Sequence, residues 1–151
     1  MKGMLRNQLE KSTNDFLERY GRKIDYYRYS SVADYASPYR QRKKQYADVP
    51  IQLQCTVQEL IETDAHSPIG NAKLKTFKLC TTPKHIKLAF HPLDYDDPRL
   101  DLDPSLIIST KDKMIINGTD CRMYAIERHA DDNGGPIWYI IKARETVENG
   151  N

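Results

Sequence analysis

Nucleophilic chemistry at neutral pH needs a thiolate or hydroxyl beside a base or a positive charge. The candidates are Cys55, Cys80 and Cys121, with His66, His85, His91 and His129 as possible bases. No spacing pairs a cysteine with a histidine. Each cysteine instead falls within an alternating, strand-like run, where a buried, inert thiol is expected. A second constellation is acidic. Asp94, Asp96, Asp97, Asp101 and Asp103 crowd the stretch DYDDPRLDLDP, and a hard cation such as Ca²⁺ takes about six to eight oxygen ligands. The stretch has neither the spacing nor the central glycine of an EF-hand, Leu100 and Leu102 interrupt it, and Arg99 neutralises part of it. A solvated loop or a docking surface for a basic partner is the expectation. Nothing marks an enclosed pocket that would split carboxylate pKa values for acid–base work. The chain is therefore read as no enzyme, with no catalytic residue, metal ligand or cofactor assigned.

A third constellation is basic and aromatic: Tyr39, Arg40, Arg42, Lys43, Lys44 and Tyr46, with Tyr35 just before it. Phosphates attract Lys and Arg, and tyrosine can stack on a base. Three readings stay open: a solvated charge run, contact with DNA phosphates, or contact with an acidic surface on another protein. The acidic loop of an adjacent copy is one such surface.

The elements that must carry these groups are mostly strands. At 151 residues the chain is one domain by length. Lys and Arg total 23 against 21 Asp and Glu, and a net charge of +2 is too small to imply nucleic-acid binding by itself. An odd cysteine count without C-x-x-C spacing indicates free thiols and synthesis in a reducing cytosol. No apolar run approaches the roughly 18 residues that span a bilayer, and MKGMLRNQLEK lacks a signal-peptide core. Asn117-Gly118-Thr119 matches a glycosylation sequon, but it reads as a turn.

The organising stretch is Asp112–Ala143, three antiparallel strands joined at Asn117-Gly118 and at Asp132-Asn133-Gly134-Gly135-Pro136. Cys121, Met123 and Ala125 alternate with Arg122, Tyr124 and Ile126. Ile137, Tyr139 and Ile141 alternate with Trp138, Ile140 and Lys142, so the last strand is expected to be covered on both faces. Upstream, Leu5, Leu9, Phe16, Leu17 and Tyr20 form one face of a helix that ends at Gly21 as a left-handed cap, and that face is expected to pack on the barrel or on a neighbouring subunit. Arg22–Tyr29 is a strand with Ile24 and Tyr26 on one side. Residues 30–47 lack a sustained period and form a long loop or arm. Val49–Glu62 is a strand with Ile51, Leu53, Cys55 and Val57 on its dry face, residues 63–71 are a turn, and Ala72–Cys80 is a strand with a bulge expected near Lys75 and Thr76. Ile86, Leu88 and Phe90 suggest a further short strand, and residues 91–106 a second long loop. The fold class is mainly β: a small antiparallel β-barrel or sandwich, 1–151, with an N-terminal helix over 1–21 and two long loops.

In this order the pieces resemble the head-closure, or stopper, proteins of tailed bacteriophages. The likeness is carried by an amphipathic N-terminal segment ending in glycine, the strand Ile24-Asp25-Tyr26-Tyr27-Arg28, a long loop, and a strand from Pro50 to Gln54. Closest is the run Asp112-Lys113-Met114-Ile115-Ile116-Asn117-Gly118 followed by Tyr124-Ala125-Ile126. Ser109-Thr110-Lys111-Asp112 stands where that family often has Pro-Gly-Asp. The resemblance implies a virion protein of the phage neck, made in the bacterial cytoplasm, with no membrane contact. Such a protein forms a homo-oligomeric ring of six or twelve copies beneath the portal and adaptor, closes the DNA exit and offers a platform to tail proteins. It further implies that Tyr35, Tyr39, Arg40, Arg42, Lys43, Lys44 and Tyr46 contact a neighbouring subunit or the adaptor. Asp94, Asp96, Asp97, Arg99, Asp101 and Asp103 would face the channel or the tail, with non-specific DNA contact in the channel. The alternative is a nucleic-acid-binding β-barrel module using the cluster 39–46.

Overall fold

Alternating apolar residues can bury one face only if the strands that carry them close around a common interior, and here they do. The computed structural model describes residues 2–33, 42–47, 49–62, 66–67, 70–71, 74–94, 97–99, 103–130 and 135–146. In chain order the elements are α1 (Lys2–Tyr20), β1 (Arg22–Tyr27), β2 (Tyr29–Ala33), β3 (Arg42–Tyr46), β4 (Ile51–Glu62), β5 (His66–Ser67), β6 (Gly70–Asn71), β7 (Leu74–Thr81), α2 (Pro83–Asp94), a 3-10 turn (Pro104–Ile107), β8 (Lys113–Ile116), β9 (Thr119–His129) and β10 (Trp138–Glu145). Six of the strands form a closed barrel in the order β1-β4-β7-β10-β9-β8, every pairing antiparallel, with β8 returning to β1. β2 with β3, and β5 with β6, make two small separate sheets.

The inner face carries the expected residues. Ile24, Tyr26, Ile51, Leu53, Cys55, Phe77, Leu79, Met114, Ile116, Cys121, Tyr139, Ile141 and Ala143 are buried, and Val57 packs against them. Removing one such aliphatic or aromatic side chain from water stabilises by about 1.5–3 kcal/mol. The turn between β8 and β9 is the expected one, with Asn117 and Gly118 at φ 53° and 77°. The outer face of β10 is half-buried at Trp138, Ile140 and Lys142.

Several expectations are corrected. Ile86, Leu88 and Phe90 belong to a helix, not a strand. Thr82 accepts the His85 N–H at its hydroxyl (3.3 Å) and the Ile86 N–H at its carbonyl (3.0 Å), capping a helix whose first residue is Pro83. Ile86 and Phe90, one turn apart, enter the core, while Leu88 points to solvent. The register of β7 with β4 runs unbroken through Lys75 and Thr76, and with β10 unbroken as far as Thr76. The bulge lies in β9 instead, where Lys142 pairs Ala125 but Ala143 pairs Met123, so Tyr124 is the extra residue. The phase therefore flips, and Ile126, in phase with Arg122 and Tyr124 by simple alternation, packs against the core.

Gly21 does not have a left-handed φ. Its missing side chain serves close approach: a Cβ there would lie 2.3 Å from the Leu17 carbonyl oxygen, which already accepts Gly21 N–H at 2.8 Å and Gln54 Nε2 at 2.9 Å. Within the stretch 30–47 the described residues are strands: Tyr29–Ala33 pairs antiparallel with Arg42–Tyr46 as a hairpin, and residues 34–41 lie outside the described residues. The stretch 91–106 is also not loop throughout. α2 extends to Asp94, and Pro104–Ile107 forms the 3-10 turn. Finally, the apolar stripe of α1 packs on its own chain only at Leu17. Leu17 is fully buried, but Leu5, Leu9, Phe16 and Tyr20 are 74%, 42%, 53% and 70% exposed.

Candidate interaction surface

Where the hairpin leaves the barrel, aromatic and cationic side chains interlock. Tyr46, the last residue of β3, pairs with Tyr29 across the hairpin and meets its ring edge-on at 5.7 Å. Beneath it, on the barrel's outer face, the Lys113 ammonium lies 4.7 Å from the Tyr27 ring centre and 4.8 Å from that of Tyr46. Arg122 donates from Nη2 to the Tyr46 hydroxyl at 2.6 Å, holds its guanidinium carbon 5.1 Å from the same ring, and pairs with Asp120 at 2.8 Å. Each cation–π contact contributes about 0.5–1 kcal/mol at a partly exposed site. Tyr46 thus anchors the hairpin to the wall. Base stacking on Tyr46 is disfavoured, because cations already occupy its ring.

Of the basic cluster, Tyr35, Tyr39 and Arg40 lie outside the described residues. Arg42, Lys43 and Lys44 are placed by their backbone on β3, opposite Ala33, Val32 and Ser31. Nothing in the sequence pattern pointed to Lys113 and Arg122 as neighbours of Tyr46.

The acidic stretch divides. Asp96 and Asp101 lie outside the described residues, and Asp94 sits at the end of α2. Asp97 accepts from Arg99 Nε at 3.0 Å and Nη2 at 2.6 Å, and the guanidinium holds its carboxyl down at about 2. Asp103 caps the 3-10 turn, accepting Ser105 N–H at 3.2 Å and Ser105 O–H at 2.7 Å. It also receives the Tyr139 hydroxyl at 3.0 Å and the Arg128 guanidinium. It braces its own chain against β9 and β10.

The Cys55 and Cys121 thiols are buried as expected, and Cys80 is half-buried. Burial pushes Cys55 and Cys121 up to about 12 and raises Cys80, so the nucleophilic thiolate is suppressed in all of them. His85 is engaged by Thr82 Oγ1 at 2.7 Å and faces Glu18 at 3.8 Å, while His129 stacks on Trp138. Burial lowers the His85 pKa, opposed by Glu18. Among the described residues no group of three or more His, Cys, Asp or Glu could hold a metal ion, and no helix is long and apolar enough to cross a membrane. A cleft of about 230 Å³ between α1 and the barrel is lined by Arg6, Glu10, Asn14, Thr82, Lys84 and Tyr139, among others. It brings together a mixed polar set in which the Thr82 hydroxyl lies 2.7 Å from both Asn14 Oδ1 and His85 Nδ1.

No family model matches the sequence, and no curated protein is significantly similar to it. Among solved structures, a chain of the "Virion of native gene transfer agent (GTA) particle" is similar at 15% identity and a TM-score of 0.45, covering 83% of this chain and 94% of that one.

Proposed function

We propose that this chain is a structural protein of a phage-type virion neck, which assembles as a ring below the portal and adaptor, closes the DNA exit channel and presents a platform to the tail. The reading assigns it no reaction. The observation that carries it is the apolar stripe of α1: Leu5, Leu9, Phe16 and Tyr20 share one helix face and stay in water while the barrel closes without them. Exposed apolar side chains gathered on one helix face in this way favour contact with another macromolecule. The hairpin β2–β3, fixed at its base by Tyr46, supports the same reading as a reaching element, and the order of sequence elements resembles the stopper proteins.

The test is assembly. Purified chain is mixed with portal–adaptor complexes of candidate phage-like particles and imaged by electron microscopy. The expected result is an added ring of density at the adaptor, lost in Leu9→Asp/Phe16→Asp. Failure of the wild type to join any such complex would overturn the reading.

A further inference from the structure

We infer that two copies of the free chain pair through α1, antiparallel about a two-fold axis, with the stripe Leu5, Leu9, Phe16 and Tyr20 of each helix laid on that of the other. The spacing carries this. The four positions are mirror-symmetric about the midpoint between Ser12 and Thr13: Leu5 and Tyr20 are equally far from it, and so are Leu9 and Phe16. Exposure follows the same symmetry, at 74% and 70% for the outer pair and 42% and 53% for the inner one. A two-fold contact is isologous: if residue i touches residue j, then j touches i. Turning a second helix end for end about that midpoint sets Leu5 of each copy against Tyr20 of the other, and Leu9 against Phe16. A stripe that faced only an unrelated partner has no need of that symmetry.

The centre and flanks of the stripe fit close approach. At about 100° per residue the four side chains lie within about 60° of arc, and the small residues Ser12 and Thr13 stand where the helices cross. The Thr13 hydroxyl donates to the Leu9 carbonyl at 2.8 Å, so covering it orphans no donor. Phe16 and Tyr20 lie ring to ring at 5.0 Å, and beside them is a hollow of about 300 Å³, lined also by Ser12, Asp15 and Arg19, that can take the tips of Leu5 and Leu9 from a second copy. Charge does not oppose the pairing. Arg6 and Arg19 flank the stripe on opposite sides, and the two-fold keeps them on opposite sides, so the arginines do not meet. Leu17, the buried contact of α1, is about 90° round the helix from the middle of the stripe, which leaves the stripe open to approach.

Extent sets the strength. Covering the four side chains on both copies removes about 1,000 Å² in total, the low end for a specific interface. The pairing is therefore reversible, with a Kd of about 10–100 µM. It covers the same face that the neck reading assigns to assembly, so the free chain keeps that face out of water until an assembly partner displaces the second copy. The inference does not rest on the neck reading, since it concerns the purified chain: a monomer that still joined an adaptor complex would sink this inference alone.

The experiment is sedimentation equilibrium of the purified chain from about 2 to 500 µM, which brackets the expected Kd. The wild type is expected to pass from monomer to dimer as concentration rises, and Phe16→Asp to remain monomeric with its circular dichroism unchanged. Orientation is read by disulfide trapping, with the wild type as control for the native thiols. A Leu5→Cys chain mixed with a Tyr20→Cys chain is expected to give the crosslinked pair. Leu5→Cys alone is expected to give none, because the two copies of position 5 then lie about 22 Å apart along the helices, beyond disulfide reach. A wild type that stays monomeric throughout the range would overturn the inference. So would a dimer that Phe16→Asp leaves intact, self-trapping of Leu5→Cys as ready as that of the mixture, or a larger ring that Phe16→Asp dissolves.

Discussion

The phenol of Tyr26 donates to the carboxylate of Asp112, a residue 86 positions further along the chain, and both are buried. Tyr26 Oη also accepts the Ser109 N–H at 3.1 Å, while the second Asp112 oxygen takes the Tyr29 N–H at 2.9 Å. The pair therefore pins the corner where β1 gives way to the hairpin onto the segment that enters β8. Burial, with the nearby Asp112 charge, raises the Tyr26 pKa. Asp112→Ala, which orphans these donors, is expected to cost about 2–3 kcal/mol in chemical denaturation. A double-mutant cycle with Tyr26→Phe should show clear coupling.

Alkaline pH should destabilise the fold through the buried thiols and this phenol. A group whose folded-state pKa is raised contributes stability that is fully present below its unfolded value and lost as pH rises toward the folded one. For Cys55 that window runs from 9.0 to about 12. Denaturation midpoints are expected to fall above pH 9, and to fall less steeply in Cys55→Ala/Cys121→Ala. Native protein should react slowly with a thiol reagent and unfolded protein at once.

Gly21→Ala places a methyl carbon 2.3 Å from the Leu17 carbonyl and 2.9 Å from Gln54 Nε2. The end of α1 must shift, at an expected cost of about 1–3 kcal/mol by thermal or denaturant unfolding. Leu17→Ala, which empties a fully buried site, should cost about 2–5 kcal/mol. Leu9→Asp and Phe16→Asp, on the exposed stripe, should each change monomer stability by no more than about 0.5 kcal/mol while abolishing association with a partner.

Tyr46→Ala is expected to loosen the hairpin and leave the barrel intact, read as loss of amide-exchange protection at residues 42–46 with little change in Tm. Tyr46→Phe removes the Arg122 hydrogen bond and keeps both cation–π contacts, so it should recover most of that protection.

Much of the barrel was legible in the sequence because strict alternation leaves few choices: Ile51-Leu53-Cys55 gives β4 one apolar face, Tyr139 and Ile141 mark a strand apolar on both, and Asn117-Gly118 admits a tight turn. α2 was missed because Ile86, Leu88 and Phe90 satisfy a period of two as well as one helical turn, and the deciding signal was the Thr82-Pro83 cap. The bulge escaped because Ala125 and Ile126 are both apolar, so either phase of β9 reads equally well. For α1 the stripe was visible, but its orientation depends on tertiary contacts such as Thr82 Oγ1 to Asn14 Oδ1 at 2.7 Å and Gln54 to Leu17. The cluster 39–46 was marked by composition alone. The contacts of Tyr46 with Lys113 and Arg122 were not, since they join residues of three strands.

A closed barrel of equal strands has no open edge. Here the strands pair all the way round, but unequally: β8 spans only Lys113–Ile116, so from Met123 onward β9 pairs with β10 alone, and from Val57 onward β4 pairs with β7 alone. Strand addition to this molecule therefore has routes at those two overhangs as well as at the hairpin and the short β5–β6 ribbon, and each leaves the core's register undisturbed.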